Sequence, residues 1–358
     1  MQYFNLTTAQ DYKLKSMPRG KDSPTNITNT CNIPNKTITV DFNSDCFICG
    51  CDGWLPISVG KVKDFDSFDQ LLNSPIAKIL RQDIQNKKFT WCAVDHCGIK
   101  NYNIDRARYE LLINIDESCN LHCPSCRREQ IMHIDGPEVE SKQQDVNRII
   151  TWLEKFNEPI QIVLSGNGDP LASTIIRPLI KFYKPKSTQF FKLFTNGLLI
   201  KKQLEDSAIL SNIDSFSISV DAGSGPVYET VRKGGSWKVL MENFDYLKSI
   251  RKDQFILLNF AVQKNNYKDL DNFVKLCNKY EFNGNIHHLD DWGTWNYSEV
   301  DTPDAWTLVN GTFISNNVLG NKHPNYKECQ DLVKNLQKQN FPNIAFTSRL
   351  INLLDIHE

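Results

Sequence analysis

The sequence predicts an α/β fold, a partial six-stranded (β/α)6 TIM-like barrel preceded by a small cysteine-rich α+β domain. Short hydrophobic segments alternate with amphipathic segments over 109–289, which is typical of parallel strands joined by helices. Nine of the eleven cysteines fall within the first 126 of 358 residues, so metal or redox chemistry is expected at this end. The length is sufficient for two or more domains.

The first hundred residues predict a polar arm followed by a compact domain. Residues 1–30 are polar and interrupted by Pro and Gly, which favours a surface arm. The stretch 37–42 alternates like a strand, and the segment CFIC after Asn43 and Ser44 predicts the return strand of a hairpin. Helical spacing over 68–86 is interrupted at Ser74 and Pro75, where a second helix is expected to begin. We assign 31–100 to this domain.

Residues 101–300 predict the barrel, and 301–358 an extension that packs on it. In parallel α/β folds, chemistry lies at the carboxyl ends of the strands, so the segments after each strand are the candidate site. The predicted strands are 109–115, 160–165, 189–195, 215–220, 255–262 and 285–289, and the predicted helices are 142–156, 171–183, 236–251 and 266–280.

Composition excludes several classes of protein. The 41 Lys and Arg against 42 Asp and Glu give a formal net charge of −1, so no general nucleic-acid binding is expected. Neither a membrane span nor a secretory signal is predicted, which favours the cytoplasm. Cytoplasmic thiols stay reduced, so clustered cysteines there indicate metal or redox chemistry before disulfides.

Three cysteines follow the first barrel strand with the spacing C-x3-C-x2-C: Cys119, Cys123 and Cys126. Three thiolates on one loop can hold three irons of a four-iron cluster, which leaves the fourth iron open to a ligand. The alternative is structural zinc completed by His122 or by a distant cysteine.

This triplet resembles the signature of the radical S-adenosylmethionine (radical SAM) enzymes, although Ser125 stands where that family usually has an aromatic residue. The resemblance implies a catalytic [4Fe-4S] cluster that chelates S-adenosylmethionine and cleaves it reductively. The resulting 5′-deoxyadenosyl radical abstracts a hydrogen atom from the substrate. It also implies a reducing partner such as flavodoxin or ferredoxin.

Later strand ends carry segments that resemble the cofactor contacts of that family, although each is also compatible with an ordinary turn. A Gly-Asn-Gly-Asp-Pro segment resembles the one that contacts the methionyl amino group. A Thr-Asn-Gly turn and a Ser-x-Asp segment follow, and an arginine stands where one is expected to reach the cofactor carboxylate. The implied cofactor-binding residues are Gly166, Asn167, Gly168, Asp169, Thr195, Asn196, Ser219, Asp221 and Arg232.

The upstream cysteines resemble a SPASM or twitch auxiliary-cluster domain, here placed before the barrel and with Ser44 in the position of a glycine. The resemblance implies that four thiolates hold an auxiliary [4Fe-4S] cluster, and structural zinc is the alternative. The implied ligands are Cys31, Cys49, Cys92 and Cys97, with Cys46 and Cys51 as competing candidates. Cys277, within an amphipathic helix, is expected to lie in the core.

After the sixth strand, Asp291, Trp292 and Trp295 are candidates to stack on and hydrogen-bond a polar substrate. His287 and His288 beside them are candidates for acid–base work. Family precedent favours a peptide or protein substrate, followed by a sugar, a nucleotide or another small molecule. The competing hypothesis is a zinc-binding interaction scaffold without catalytic activity.

Overall fold

The computed structural model describes residues 31–50, 55–92, 108–127, 129–166, 168–289, 317–320 and 323–355. The predicted arm 1–30 lies outside them. The strands are β1 Thr37–Val40, β2 Asp45–Phe47, β3 Gly60–Lys61, β4 Tyr109–Ile113, β5 Ile160–Leu164, β6 Gln189–Thr195, β7 Ile213–Ser219, β8 Phe255–Val262, β9 Asn283–His288 and β10 Ile344–Phe346. The helices are α1 Ile33–Lys36, α2 Phe68–Leu72, α3 Pro75–Gln85, α4 Pro137–Lys155, α5 Arg177–Phe182, α6 Ile200–Leu204, α7 Gly225–Val231, α8 Trp237–Ile250, α9 Leu270–Tyr280, α10 Tyr326–Lys338 and α11 Ser348–Asp355.

The described chain divides into two compact units. The first unit contains the residues up to 117, together with 133–192 and 206–212. The second unit contains 118–132, 193–205 and the residues from 213 onward. β6 begins in the first unit and ends in the second.

In the first unit the strand order is β5-β4-β1-β2-β3. β1 and β2 are antiparallel, with Thr39 opposite Phe47, which confirms the predicted hairpin. The Asp41 carboxylate forms the turn by accepting hydrogen bonds from the backbone N of Asn43 (2.9 Å) and Asp45 (2.8 Å). β1 also pairs in parallel with β4, so the hairpin extends the barrel strands instead of standing apart from them.

Caps and aromatic packing explain the helices of this unit. The Ser74 hydroxyl accepts from the backbone N of Ala77, and Pro75 occupies the first turn of α3, which confirms the predicted restart. The rings of Phe68, Tyr109 and Phe156 pack with centroids 4.7–5.8 Å apart. These contacts join the N-terminal helices to β4 in one core.

In the second unit β7, β8, β9 and β10 follow one another and are parallel. In the core of this unit, Phe260 of β8 packs against Phe273 of α9, and Phe244 of α8 packs against Tyr280 and Phe282. β10 pairs with β9 and was not predicted, because three residues in a polar C-terminal segment give no readable alternation.

All six predicted barrel strands are present, and the α/β class with mainly parallel, open strands is confirmed. The predicted helix 171–183 is shorter, because Asp169 and Ser173 accept hydrogen bonds from the backbone N of Leu171 and Ile176 and hold this stretch in turns. Within the described residues, no helix is both long and apolar enough to cross a bilayer. The domain boundaries at 100 and 300 stay predictions.

Candidate active site

The cysteine triplet forms a tight loop in the second unit. The backbone N of Cys119 donates to Ile131 O (2.8 Å), and the backbone N of Cys126 donates to Cys123 O (2.9 Å). Cys123 is buried, whereas Cys119 and Cys126 are partly exposed. One thiol therefore lies inside the unit while two remain near its surface.

A turn that follows α7 contacts this loop through a backbone hydrogen bond. The backbone N of His122 donates to Lys233 O (3.1 Å). Gly234 has φ +89°, and a β-carbon there would lie 3.2 Å from Nδ1 of His122. Glycine therefore permits both the left-handed backbone and the close approach of the imidazole ring.

Two side-chain nitrogens point at thiols of the triplet. Nδ2 of Asn196 lies 3.9 Å from Sγ of Cys119 and also donates to Oδ1 of Asn120 (2.8 Å). The side-chain oxygen Oδ1 of Asn196 accepts from the backbone N of Leu198 (3.0 Å), which fixes the orientation of the side-chain amide. Nη1 of Arg232 lies 3.8 Å from Sγ of Cys123. Positive or polarised hydrogens at these thiols stabilise a thiolate.

Arg232 is held in turn by Asp221. Nη2 of Arg232 lies 2.7 Å from Oδ2 of Asp221, and the side chains are only 15% and 6% exposed. Asp221 has the left-handed φ of 57°. Its Oδ1 accepts from the backbone N of Ala261 (2.7 Å), and its carbonyl accepts from Nδ2 of Asn266 (2.9 Å). Both carboxylate oxygens are therefore engaged within the protein.

Burial and neighbouring groups shift the pKa values of both Cys123 and Arg232. Burial raises the pKa of the Cys123 thiol, and the charge and hydrogen bond of Arg232 oppose that rise without cancelling it. Burial alone would lower the pKa of Arg232, but Asp221 and Cys123 raise it above its usual value. The guanidinium thus remains charged beside the thiol.

The loop fits an iron–sulfur cluster better than a single zinc ion. Zinc gathers four ligands around one ion at about 2.0–2.3 Å, whereas each cysteine of a cluster binds a different iron. Within the described ranges, no three Cys, His, Asp or Glu side chains converge as a ligand set for one metal ion. The three thiols share one loop, and nitrogen donors face two of them.

The other predicted residues of this unit lie at two neighbouring strand ends. Thr195 is buried at the end of β6, and its hydroxyl accepts from the backbone N of Gly197 (3.1 Å). Ser219 is the last residue of β7 and is partly exposed. In the parallel register it pairs with Asn259 of β8.

A polar row crosses β7, β8 and β9 on one face. Nδ2 of Asn259 donates to the Ser217 hydroxyl (2.8 Å), and Nδ2 of Asn285 donates to Oδ1 of Asn259 (3.2 Å). His287 follows on the same face of β9. We missed this row in the sequence, although the period-two pattern Asn283, Asn285, His287 is a signal that could have revealed it.

The Gly-Asn-Gly-Asp-Pro segment lies in the first unit. Gly166 has φ +136°, and a β-carbon there would lie 3.2 Å from the backbone of Asn114. Asp169 is 3% exposed and caps the following turn through Leu171. Asp116, which we did not predict, is buried and accepts from the Ser173 hydroxyl (2.5 Å). Gly168 is described and partly exposed, whereas Asn167 lies outside the described residues.

The upstream cysteines are in different surroundings. Cys46 is fully buried between β1 and β3, and burial together with Asp45, Asp41, Asp145 and Asp64 raises the pKa of its thiol well above the ordinary value. Cys49 is 7% exposed, and Cys31 and Cys92 are partly exposed. Cys51 and Cys97 lie outside the described residues, as do Asp291, Trp292 and Trp295.

Ser44 occupies the position at which the auxiliary-domain pattern has glycine. Its φ is 61°, in the left-handed region that favours glycine. A glycine would adopt this backbone without strain, although the chain has serine here.

Residues 113–277 match the family described as the radical SAM superfamily. The chain carries a radical SAM domain. Such domains use a [4Fe-4S] cluster and S-adenosylmethionine, and the matched segment includes the triplet and every strand-end motif described above.

The curated relatives are distant and longer than the match. The AdoMet-dependent heme synthase of Oleidesulfovibrio alaskensis is 26% identical over 164 residues, covering 46% of this chain and 40% of that protein. The 7,8-dihydro-6-hydroxymethylpterin dimethyltransferase of Methanocaldococcus jannaschii is 22% identical over 172 residues, covering 46% and 33%. The chain thus spans less than half the length of these relatives.

Among solved structures, Streptococcus suis SuiB bound to S-adenosylmethionine is 16% identical. The match covers 66% of this chain and 49% of SuiB, with a TM-score of 0.41.

Proposed function

We propose that this protein is a radical SAM enzyme whose catalytic [4Fe-4S] cluster is held by Cys119, Cys123 and Cys126. When bound, the reduced cluster supplies the electron that splits the carbon–sulfur bond of S-adenosylmethionine, and the adenosyl fragment takes a hydrogen atom from the substrate. The observation that carries the proposal is the triplet loop, with donors from Asn196 and Arg232 directed at its thiols. These donors favour the thiolate form that iron requires.

For the cofactor we propose contacts from two groups of residues. Nε of Arg232 is buried and has no hydrogen-bond acceptor among the described residues, which suits a carboxylate ligand. Thr195, Asn196 and Ser219 stand at the strand ends of the same unit. We also propose Gly166, Asn167, Gly168 and Asp169 as cofactor contacts. Because both oxygens of Asp221 are engaged, we assign it to positioning Arg232 and not to the cofactor itself.

The test is cofactor cleavage by the anaerobically reconstituted protein under a strong reductant. Cys123→Ala should abolish 5′-deoxyadenosine production, because one iron loses its ligand. Cys277→Ala, which removes a buried thiol inside α9, should retain it. Cleavage that persists in Cys123→Ala would contradict the ligand assignment. Zinc without iron in the wild-type protein would favour the interaction scaffold instead.

We propose a peptide or protein as the substrate, with a sugar as the alternative. The row formed by Ser217, Asn259 and Asn285, with His287 beyond it, offers hydroxyl, amide and imidazole groups that hydrogen-bond neutral polar ligands. None of the side chains on this face of β7 to β9 is Lys or Arg. A nucleotide phosphate would need such cations, so a nucleotide is the weaker candidate. Asp291, Trp292 and Trp295 stay candidates beside this row.

We also propose an auxiliary [4Fe-4S] cluster at Cys31, Cys49, Cys92 and Cys97. The left-handed turn at Ser44 supports the resemblance on which this set depends. Burial and the carboxylates around Cys46 disfavour its thiolate, so Cys46 is the weaker alternative. In the double variant Cys92→Ala, Cys97→Ala the iron content should fall by about four per chain. Unchanged iron would contradict the auxiliary cluster.

A one-electron donor such as flavodoxin or ferredoxin would supply the reducing electron, and the cytoplasm is the expected location. Both stay predictions.

A further inference from the structure

Two hydrogen-bond donors and one carboxylate lie beside the cysteine loop: Asn196, Arg232 and Asp221. Asn196 and Arg232 present N–H groups to two different thiols, at 3.9 Å to Cys119 and 3.8 Å to Cys123. Asp221 touches neither thiol and pairs with Arg232 at 2.7 Å. The arrangement therefore combines two donors with one carboxylate that offsets the charge of the second donor.

The orientation of each donor is fixed by the protein. The Asn196 carbonyl is tied to the backbone N of Leu198, so its amide nitrogen must face Cys119 and Asn120. Arg232 is fixed through Asp221, whose other oxygen is bound to the backbone N of Ala261. Because this pair is largely removed from solvent, its charges are weakly screened.

Hydrogen bonds to ligand sulfurs and local net charge set the reduction potential of an iron–sulfur cluster. On one-electron reduction, negative charge is added to the cluster and its sulfurs. Donors and cations beside the sulfurs stabilise that added charge, whereas a nearby carboxylate opposes it.

We propose that Asn196 and Arg232 raise the reduction potential of the cluster at Cys119, Cys123 and Cys126, and that Asp221 lowers it by offsetting Arg232. Asn196 and Arg232 act directly on the ligand thiols, whereas Asp221 is a positioning residue that acts through Arg232. This inference rests on the proposed function, because it requires a cluster at the triplet.

The test is a redox titration of the reconstituted protein with dithionite, which passes one electron to each cluster, followed by electron paramagnetic resonance of the reduced cluster. The relevant signal is the one that a Cys119→Ala variant lacks, which separates it from any auxiliary cluster. The midpoint potential is then compared among variants, so the readout does not depend on turnover.

We expect Asn196→Leu and Arg232→Gln to shift the midpoint to more negative potential, and Asp221→Asn to shift it to more positive potential. A structural disturbance would not shift the midpoint potential in opposite directions in Arg232→Gln and Asp221→Asn. Asn343→Leu is the matched control, because it removes an amide that donates to Oδ1 of Asn278 (3.0 Å) and to Phe282 O (3.0 Å) and to no cysteine in the described residues. Its midpoint should equal that of the wild type.

Two failures are distinguishable. If the wild type forms no cluster at the triplet, the proposed function is wrong and this inference falls with it. If the cluster forms and all midpoints coincide, or Asp221→Asn shifts in the same direction as Arg232→Gln, the inference alone is wrong. Should Asp221→Asn fail to fold, an unchanged midpoint in Asn196→Leu still overturns the role of the donors.

Discussion

The cysteine triplet and the N-terminal hairpin both carry a buried thiol, but the charged neighbour with the largest effect on each thiol differs in sign. Cys123 faces the Arg232 guanidinium, which lowers its pKa against the effect of burial. Cys46 lies among four aspartates, each of which adds to the effect of burial. Both thiols have a raised pKa, but Arg232 offsets part of the rise at Cys123, whereas the aspartates add to the rise at Cys46. The charges beside the two thiols, which cysteine spacing does not show, therefore distinguish their environments.

The largest expected difference between the two regions is in iron content. Cys119→Ala should remove about four irons per chain, because the catalytic cluster loses a ligand. Cys46→Ala should remove none. Iron and sulfide are measured after anaerobic reconstitution. Loss of iron in Cys46→Ala would contradict this expected difference, since it would make Cys46 a ligand despite its carboxylate surroundings.

The ion pairs of the two regions should differ next. Asp221→Ala leaves the largely buried Arg232 without its carboxylate, and a lone buried charge costs about 3–5 kcal/mol of unfolding free energy. Near the hairpin, Lys61 and Asp45 pair at 3.1 Å with side chains 42% and 27% exposed. Lys61→Met should cost less than about 1 kcal/mol, because solvent screens this pair. Urea denaturation measures both, and equal losses would contradict the difference in burial.

The smallest effect concerns pH. The pKa of Cys46 is raised in the folded state, so the unfolded thiol ionises first as pH rises above about 8.5. Cys46 therefore stabilises the fold below that pH and loses this contribution as pH rises toward its folded pKa. The slope is at most about 1.4 kcal/mol per pH unit for one proton.

Cys46→Ala should make the unfolding free energy fall less steeply in this alkaline range. Parallel curves for the wild type and the variant would show that Cys46 ionises equally well in both states.

Local sequence signals predicted much of the fold. The strands 189–195 and 255–262 match β6 and β8 because alternating or continuous apolar runs are bounded by turn residues. The restart at Pro75 followed from a serine cap and a proline, both readable within four residues. The pairing of β1 with β4 and the strand β10 could not be read, because each depends on a distant segment.

The candidate site divides in the same way. The spacing of Cys119, Cys123 and Cys126 and the order of the strand-end motifs are properties of the sequence, and they were sufficient to recognise the family. The roles of individual residues within the site are not properties of the sequence alone. Asp221 resembled a cofactor contact, and only the fold shows that its carboxylate pairs with Arg232.

The sequence by itself determined the alternation of strands and helices, the cysteine loop and the motifs that follow each strand, because these are written in short stretches of chain. Only the tertiary structure decided which groups face each thiol. Arg232 reaches Cys123 across 109 positions of sequence, and Asp145 reaches the surroundings of Cys46 from α4. Electrostatic interaction depends on distance in space, so no local pattern could have assigned a donor to one cysteine and carboxylates to the other.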